Sequence, residues 1–383
     1  MVNIFQKLTQ QFSQLSKKKK IVLFLLSILS AIIITLLLSD PSFTRTQNCV
    51  LFLLFFAIFL WVTEATPPFA VGILIIGFLV LIMGKSDSET ANAMKYLQTW
   101  SDSVIWLFLG GFFLAEAMKK TSLDMLLLKY LLPKFGTNPR NVLWGLMLIT
   151  ALISMLMSNT ATTAMMIATI SPIFTNLGKK SNLSRALLLG IPSAASVGGM
   201  GTIIGSAPNA IAVGALENMG YPISFLEWMM MGMPIALLLL YIFWRVLVAR
   251  YIGNEQTILQ FDFLKNISMT FNKEEKTKRT VVLLILLVTL FCWLTSKWID
   301  IPVAAASGIP IVGLTMFGIL DDKDVRKLPW DTLMLVAGGL ALGLAIEEQN
   351  IASHFVEKIS HINVSFITLL ILFGFFFLLF FCK

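Results

Sequence analysis

The sequence predicts an all-α, polytopic membrane protein, and three observations carry that reading. Of its 383 residues, 57% are hydrophobic and only 13% are charged, a balance that water-soluble domains do not show. The mean hydropathy is +0.83. Several uncharged runs also reach the roughly 20 residues that a helix needs to cross a bilayer. A soluble domain is excluded, and the chain is expected in the cell membrane as a multi-pass protein, the inner membrane in a bacterium.

Taken in order, residues 1–20 form a cytoplasmic segment, because Lys17, Lys18, Lys19 and Lys20 stand directly before the first apolar run and basic residues mark the cytoplasmic side. Ile4, Phe5, Leu8, Phe12 and Leu15 recur at helical spacing, which predicts a short helix lying in the membrane interface. Spans are predicted near residues 21–38, 48–64 and 68–84, each bounded by charges or by Gly and Pro. A segment at 103–118 reads as a re-entrant hairpin too short to cross. A lateral amphipathic piece at 123–132 follows, then an interrupted helix at 141–177, a polar-interrupted run at 186–216 and a span at 229–249. The polar link 251–279 carries Lys273, Lys276, Lys278 and Arg279 and is placed in the cytoplasm by the same rule. Beyond it come spans near 280–298 and 302–319, a second short hairpin at 332–346 and an apolar run from Val364. This divides the chain into 1–20, a first span and transport repeat over 21–250, the link 251–279, and a second repeat over 280–383.

The repeat rests on a paired motif. Trp100 leads to Gly110-Gly111, and Trp330 leads to Gly338-Gly339, with two residues fewer in between. A short apolar run and then polar residues follow each pair: Glu116, Lys119 and Lys120 in one, Glu347, Glu348 and Gln349 in the other. Duplicated transporters leave this kind of trace, inverted repeats with discontinuous helices.

Other residue classes are quiet. A net charge of +8 reflects bases that flank spans, without the aromatic interleaving of nucleic-acid surfaces, so nucleic acid is not an expected partner. Cys49, Cys292 and Cys382 are isolated, which supports neither disulfides nor a transition-metal site. His354 and His361 are expected to be solvated near a span end. Glu64 and Glu116 read as solvated or capping acids. No arrangement of catalytic residues lies in the spans, so an enzyme is not expected.

The chemistry sits in two polar interruptions. Between Arg140 and Lys179 lie 38 residues without a charge, well beyond one crossing, with Ser158-Asn159-Thr160 near the centre. Irregular backbone at membrane depth is tolerated only where it is buried in protein or lines a cavity. Ser154, Ser158, Asn159 and a freed carbonyl could surround one small hard cation, which prefers oxygen. Amides opening the second half-helix, with the Thr160 hydroxyl, could receive a carboxylate. The second interruption runs from Gly198 to Asn209 in another uncharged stretch. Its glycines permit unwound backbone and Pro208 denies a helical amide. Two broken helices imply one shared cavity.

These residues resemble a known family, the divalent anion/sodium symporters. The resemblance rests on Ser158-Asn159-Thr160, on Gly205-Ser206-Ala207-Pro208-Asn209, on Trp61-Val62-Thr63-Glu64-Ala65-Thr66-Pro67 and on the paired Trp/Gly-Gly segments, and it covers most of the chain. It implies sodium held by Ser154, Ser158, Asn159 and the Gly205 carbonyl, and a substrate touched by Asn159, Thr160 and Ser206. It implies coupled transport of di- or tricarboxylates such as succinate, sodium as the only ion required, no cofactor, a homodimer in the lipid bilayer and an elevator-like moving part. A sodium-independent dicarboxylate exchanger and a non-transporting membrane scaffold are the alternatives. The family carries two Ser-Asn-Thr motifs and this sequence shows one. Gly110 and Gly338 stand 228 residues apart, which puts the partner of Ser158 near position 386, beyond Lys383. The second repeat is therefore expected to be incomplete, with half of the site missing from this chain.

Overall fold

The computed structural model describes residues 17–83, 90–177, 181–253 and 272–360. These residues form 17 α-helices, short 3-10 turns and one π-helical turn, and no strand occurs among them. Among the described residues, six helical stretches are long and apolar enough to cross a membrane: Lys17–Leu38, Arg45–Thr63, Ala93–Lys120, Phe225–Ile252, Lys273–Ile299 and Trp330–Glu348. The chain is thus a multi-pass helical membrane protein. The predicted interfacial helix at residues 4–15, most of the link, His361, Cys382 and the apolar run from Val364 lie outside the described residues.

The chain divides into two compact units, one of residues 1–97 with 341–383 and one of residues 98–340. In the first, α1 (Lys17–Leu38) packs on α2 (Arg45–Thr63), and α2 on α3 (Pro68–Met83). Phe24 meets Phe56 edge-on at 5.5 Å between ring centres, and Phe52 lies 6.1 Å from Phe78. A reciprocal capping box of Thr44 and Gln47 starts α2, satisfying donors that lipid cannot. Two helices that the hydropathy pattern does not single out belong here, α4 (Thr90–Gln98) and α17 (Ile351–Ser360). Tyr96 donates to Glu348 at 2.8 Å, and Lys358 pairs with Asp40 at 2.6 Å. That Lys358 bond, with donors from Ser42, holds the Asp40 carboxyl well below the usual carboxylate range. His354 is not solvated as expected: it packs edge-on against Phe43 at 4.7 Å, and its Nε2 is buried, 3.5 Å from Asp40.

The second unit contains α5 (Ser103–Lys120), α6 (Leu123–Leu131), α7 (Pro139–Ser154), α8 (Asn159–Thr169), α9 (Ser171–Leu177), α10 (Asn182–Gly199), α11 (Ala207–Asn218), α12 (Phe225–Leu247), α13 (Lys273–Ile299), α14 (Val303–Met316), α15 (Asp322–Arg326) and the first part of α16 (Trp330–Glu348). Its apolar core joins Leu143, Leu146 and Met147 of α7, Met166 of α8, Leu187 and Ile191 of α10 and Leu240 of α12. Glu227 at the start of α12 pairs with Lys297 at the end of α13 at 2.6 Å, so these two helices run antiparallel. The end of α12 therefore shares a membrane face with the basic start of α13. Arg279 donates to the Thr121 carbonyl at 2.6 Å on that same face.

The two Trp/Gly-Gly segments differ from expectation. Each is one uninterrupted helix, α5 of 18 residues and α16 of 19, so the chain does not reverse within either. At 1.5 Å per residue such a helix measures about 27 Å, close to the hydrocarbon thickness. The glycines serve close packing instead. A Cβ on Gly110 would stand 2.9 Å from Ser307 Cβ on α14, and one on Gly339 2.6 Å from Ile211 Cδ1 on α11.

Candidate functional site

Both predicted interruptions are present in the second unit, and each breaks for a local reason. α7 ends at Ser154, three residues of non-helical backbone follow, and Ser158 starts α8 as its N-cap, accepting from the Ala161 N–H at 3.3 Å. A serine at this position offers an oxygen to donors that the helix itself leaves unsatisfied. α10 ends at Gly199, and a 3-10 turn over Ile203–Gly205 follows. Ser206, extended at φ −155° and ψ 137°, precedes α11, with Pro208 in its first turn. Proline fits there because the first-turn amides lack partners in any case.

The two breaks meet. Ser154 is fully buried, and its hydroxyl lies 2.7 Å from Asn159 Oδ1 and 2.8 Å from the Ala195 carbonyl oxygen. A Cβ built on Gly199 would collide with Asn159 Oδ1 and stand 2.9 Å from the Gly205 carbonyl oxygen, so those two oxygens flank one point in space. A Cβ on Gly205 would in turn lie 2.5 Å from the Gly199 carbonyl oxygen. Only glycine fits at 199 and 205. The result is a cluster of neutral oxygens, Ser154 Oγ, Asn159 Oδ1, Gly199 O and Gly205 O, drawn from both breaks.

Residues to which the sequence assigns no individual role hold this cluster. Thr202 Oγ1 donates to the Met155 carbonyl and accepts from the Gly205 N–H at 3.1 Å, tying one break to the other. Asn209 spends its amide group on the Gly199 and Thr202 carbonyls, both at 2.8 Å. Both residues were visible as polar side chains within an uncharged stretch, and burial there demands partners. Trp228 Nε1 on α12 donates to the Met200 carbonyl at 3.1 Å, a contact 28 residues along the chain that no local pattern announces.

The other expected residues line the open side. Ser158 and Thr160 are exposed and Ser206 is half-buried. Among the described residues, the Asn159 and Thr160 N–H groups have no protein acceptor, so the positive end of α8 presents open donors beside the oxygen cluster. One turn on, the Thr162 hydroxyl is fully buried without a partner among these residues. The structure thus brings Ser154, Asn159 and Gly205 together, and sets Ser158, Thr160 and Ser206 at the mouths of the two half-helices.

A cavity of about 420 Å³ opens elsewhere in this unit, lined by Glu217, Glu227, Lys297 and Asp300 among others. It reaches the 3-10 turn only through Ile203. Its carboxylates outnumber its one cation, and like charge disfavours an anionic ligand. The breaks, with neutral oxygens beside open amides, are the better site for a small cation and an anion together.

Comparison with known proteins decides the family. Residues 58–382 match the profile of the citrate transporter family. The chain belongs to that family. Within it, the chain is 28% identical over 368 residues to the sodium-dependent dicarboxylate transporter SdcS of Staphylococcus saprophyticus, covering 86% of this chain and 68% of the relative. The SdcS of Staphylococcus aureus strain USA300 is 30% identical over 339 residues, covering 79% and 63%. An uncharacterized transporter of Schizosaccharomyces pombe is 28% identical over 347 residues, covering 86% and 38%. The chain therefore spans about two thirds of the length of its staphylococcal relatives. Membership of the citrate transporter family points to a transporter rather than an enzyme, and it agrees with the resemblance to divalent anion/sodium symporters.

Proposed function

We propose that this protein takes part in sodium-coupled transport of a di- or tricarboxylate, with succinate-type C4 anions as the substrate class. The single observation that carries this reading is the meeting of the two helix breaks around Ser154 Oγ, Asn159 Oδ1, Gly199 O and Gly205 O. A hard monovalent cation suits oxygen ligands without net charge, whereas a divalent ion would call for carboxylates. The Ser154 hydroxyl has one proton for two acceptors, Asn159 Oδ1 and the Ala195 carbonyl. With that proton on Ala195, the Ser154 and Asn159 oxygens face each other with lone pairs, and a cation between them turns repulsion into attraction. Ser158 completes the sodium set once it turns from capping.

The substrate carboxylate then binds at the open Asn159 and Thr160 amides, the Thr160 hydroxyl and Ser206, at the positive end of α8. Asn159 serves both ligands, so sodium and anion favour each other's binding, and linkage makes the two effects equal, typically about 1–3 kcal/mol. The staphylococcal relatives named as sodium-dependent dicarboxylate transporters support the reading. A homodimer, a second repeat-related half-site and an elevator-like motion belong to the same proposal through the family resemblance. Sodium stays the coupling ion, and no further cofactor is called for.

Uptake of labelled succinate into vesicles at clamped membrane potential tests it. Uptake should fall at least tenfold when choline replaces sodium. Equal uptake in both salts would favour the exchanger, which uses the same amides and leaves the oxygen cluster idle.

A further inference from the structure

A second cavity, of about 260 Å³, lies between the start of α7 and the end of α12, lined by Arg140, Arg245, Val248, Ala249 and Gly253. The two arginines come from helices far apart in sequence and meet at one opening. Local structure builds the place. After Leu247 the helix widens into a π-helical turn over Val248–Ile252 and ends at Gly253, whose φ of +50° suits glycine. Such turns often mark functional positions. Arg140 Nη2 donates to the Gly253 carbonyl, which fixes its guanidinium across the opening. Arg245 is exposed and has no carboxylate partner among the described residues. The first turn of α7 adds the positive end of a helix dipole.

Directly below the arginines lies an aromatic group of the kind that anchors helices at the membrane interface. Trp144 and Trp244 stand 5.3 Å apart, and Tyr241 lies 5.6 Å from Trp244. Trp244 Nε1 donates to the Arg140 carbonyl at 3.0 Å, joining the aromatic layer to the cationic one. On the same helix Leu238, Ile242 and Val246 expose apolar side chains. A ligand matching these layers carries a phosphate at one end and hydrocarbon at the other.

We propose that Arg140 and Arg245 form a binding site for a phosphate group, supplied by an anionic phospholipid whose acyl chains lie along Tyr241, Ile242 and Val246. Guanidinium forks match phosphate oxygens in pairs, and basic pockets between transmembrane helices on the cytoplasmic side suit anionic headgroups. The end of α12 belongs to the face that bears Lys273, Lys276, Lys278 and Arg279, where anionic lipid concentrates such charges. The site is separate from the oxygen cluster and does not depend on the transport reading.

The test compares the full chain with Arg245→Gln and with Arg140→Gln/Arg245→Gln in discs of phosphatidylcholine with and without phosphatidylglycerol. The single variant keeps the Arg140–Gly253 bond and with it the local fold. The unaltered chain should gain thermal stability with phosphatidylglycerol and retain it on purification, and Arg245→Gln should retain at least fivefold less. A third arm adds inorganic phosphate to phosphatidylcholine discs. No response there, with a response to phosphatidylglycerol, identifies the lipid as the source. A response to inorganic phosphate that Arg245→Gln removes, without one to phosphatidylglycerol, would overturn the lipid assignment and leave the phosphate site. Equal lipid retention and equal stability in all three proteins would overturn the site itself.

Discussion

The helix pairs α7–α8 and α10–α11 can be set against α5 and α16, because all of them place glycine or small polar residues at the middle of an apolar run, yet only the first set breaks. α5 carries Gly110-Gly111 and α16 carries Gly338-Gly339 without loss of helix. Lipid offers no partner for a freed backbone group, so glycine alone does not open a helix there. It lets a neighbour come close instead. The breaks occur where the sequence supplies replacement partners. Ser158 caps α8, Thr202 bridges to Met155 and Gly205, and Asn209 holds two carbonyls. A membrane helix is interrupted where side chains can satisfy the groups it releases, and beside those side chains the oxygens of Ser154, Asn159, Gly199 and Gly205 come together.

Substitutions at the two kinds of position should separate cleanly. The largest effect is expected for Asn159→Ala, which removes an oxygen from the cluster proposed to hold sodium and alters the start of the proposed anion site. Sodium-dependent uptake should be abolished with membrane insertion intact. The affinity loss should be at least tenfold, about 1.4 kcal/mol. Near-normal uptake by a correctly inserted variant would remove Asn159 from the site.

Gly199→Ala comes next. Its Cβ would meet Asn159 Oδ1 and the Gly205 carbonyl oxygen, so the half-saturating sodium concentration should rise about tenfold or more, read from uptake against sodium. Gly339→Ala is the contrasting case. Its Cβ would press on Ile211, which costs about 1–3 kcal/mol of overpacking, and Ile211→Val should restore part of that. Thermal unfolding should register the change while half-saturating sodium stays constant. A shift in sodium affinity at Gly339 equal to that at Gly199 would erase the distinction between breaking and packing glycines. The smallest effect belongs to Gly308→Ala on α14, where no atom lies within 4 Å of the new Cβ. There the helix should gain about 0.5 kcal/mol or less, and uptake should not change.

Much of this was legible in the chain. Hydropathy alone located four of the six long apolar helices, those at Lys17–Leu38, Arg45–Thr63, Phe225–Ile252 and Lys273–Ile299. Ser158-Asn159-Thr160 and the stretch from Gly198 to Asn209 marked both breaks, because polar residues in an uncharged run have few other uses. The hairpins expected at 103–118 and 332–346 were misread because a glycine pair has the same appearance whether it opens a helix or seats a neighbour. That difference lies in the partner, Ser307 or Ile211, which sequence spacing does not reveal. The same blindness hid Trp228 against Met200 and the placing of His354 between Phe43 and Asp40. Helices α4 and α17 escaped notice because they are short and mixed in polarity, so no apolar run outlines them.

The central claim is that the joined breaks bind sodium through Ser154 and Asn159. It is tested most directly by the thermal midpoint of the purified chain in sodium chloride against choline chloride at equal ionic strength, measured beside Ser154→Ala. A ligand that binds only the folded state raises the midpoint according to RT ln(1 + [L]/Kd). Ser154→Ala removes one buried hydroxyl that touches Asn159 and Ala195, a change worth about 1 kcal/mol in choline. The account predicts that sodium raises the midpoint of the unaltered chain in a saturable manner and that Ser154→Ala loses most of that rise. An equal sodium-dependent rise in both proteins, or none in the unaltered chain, would contradict it.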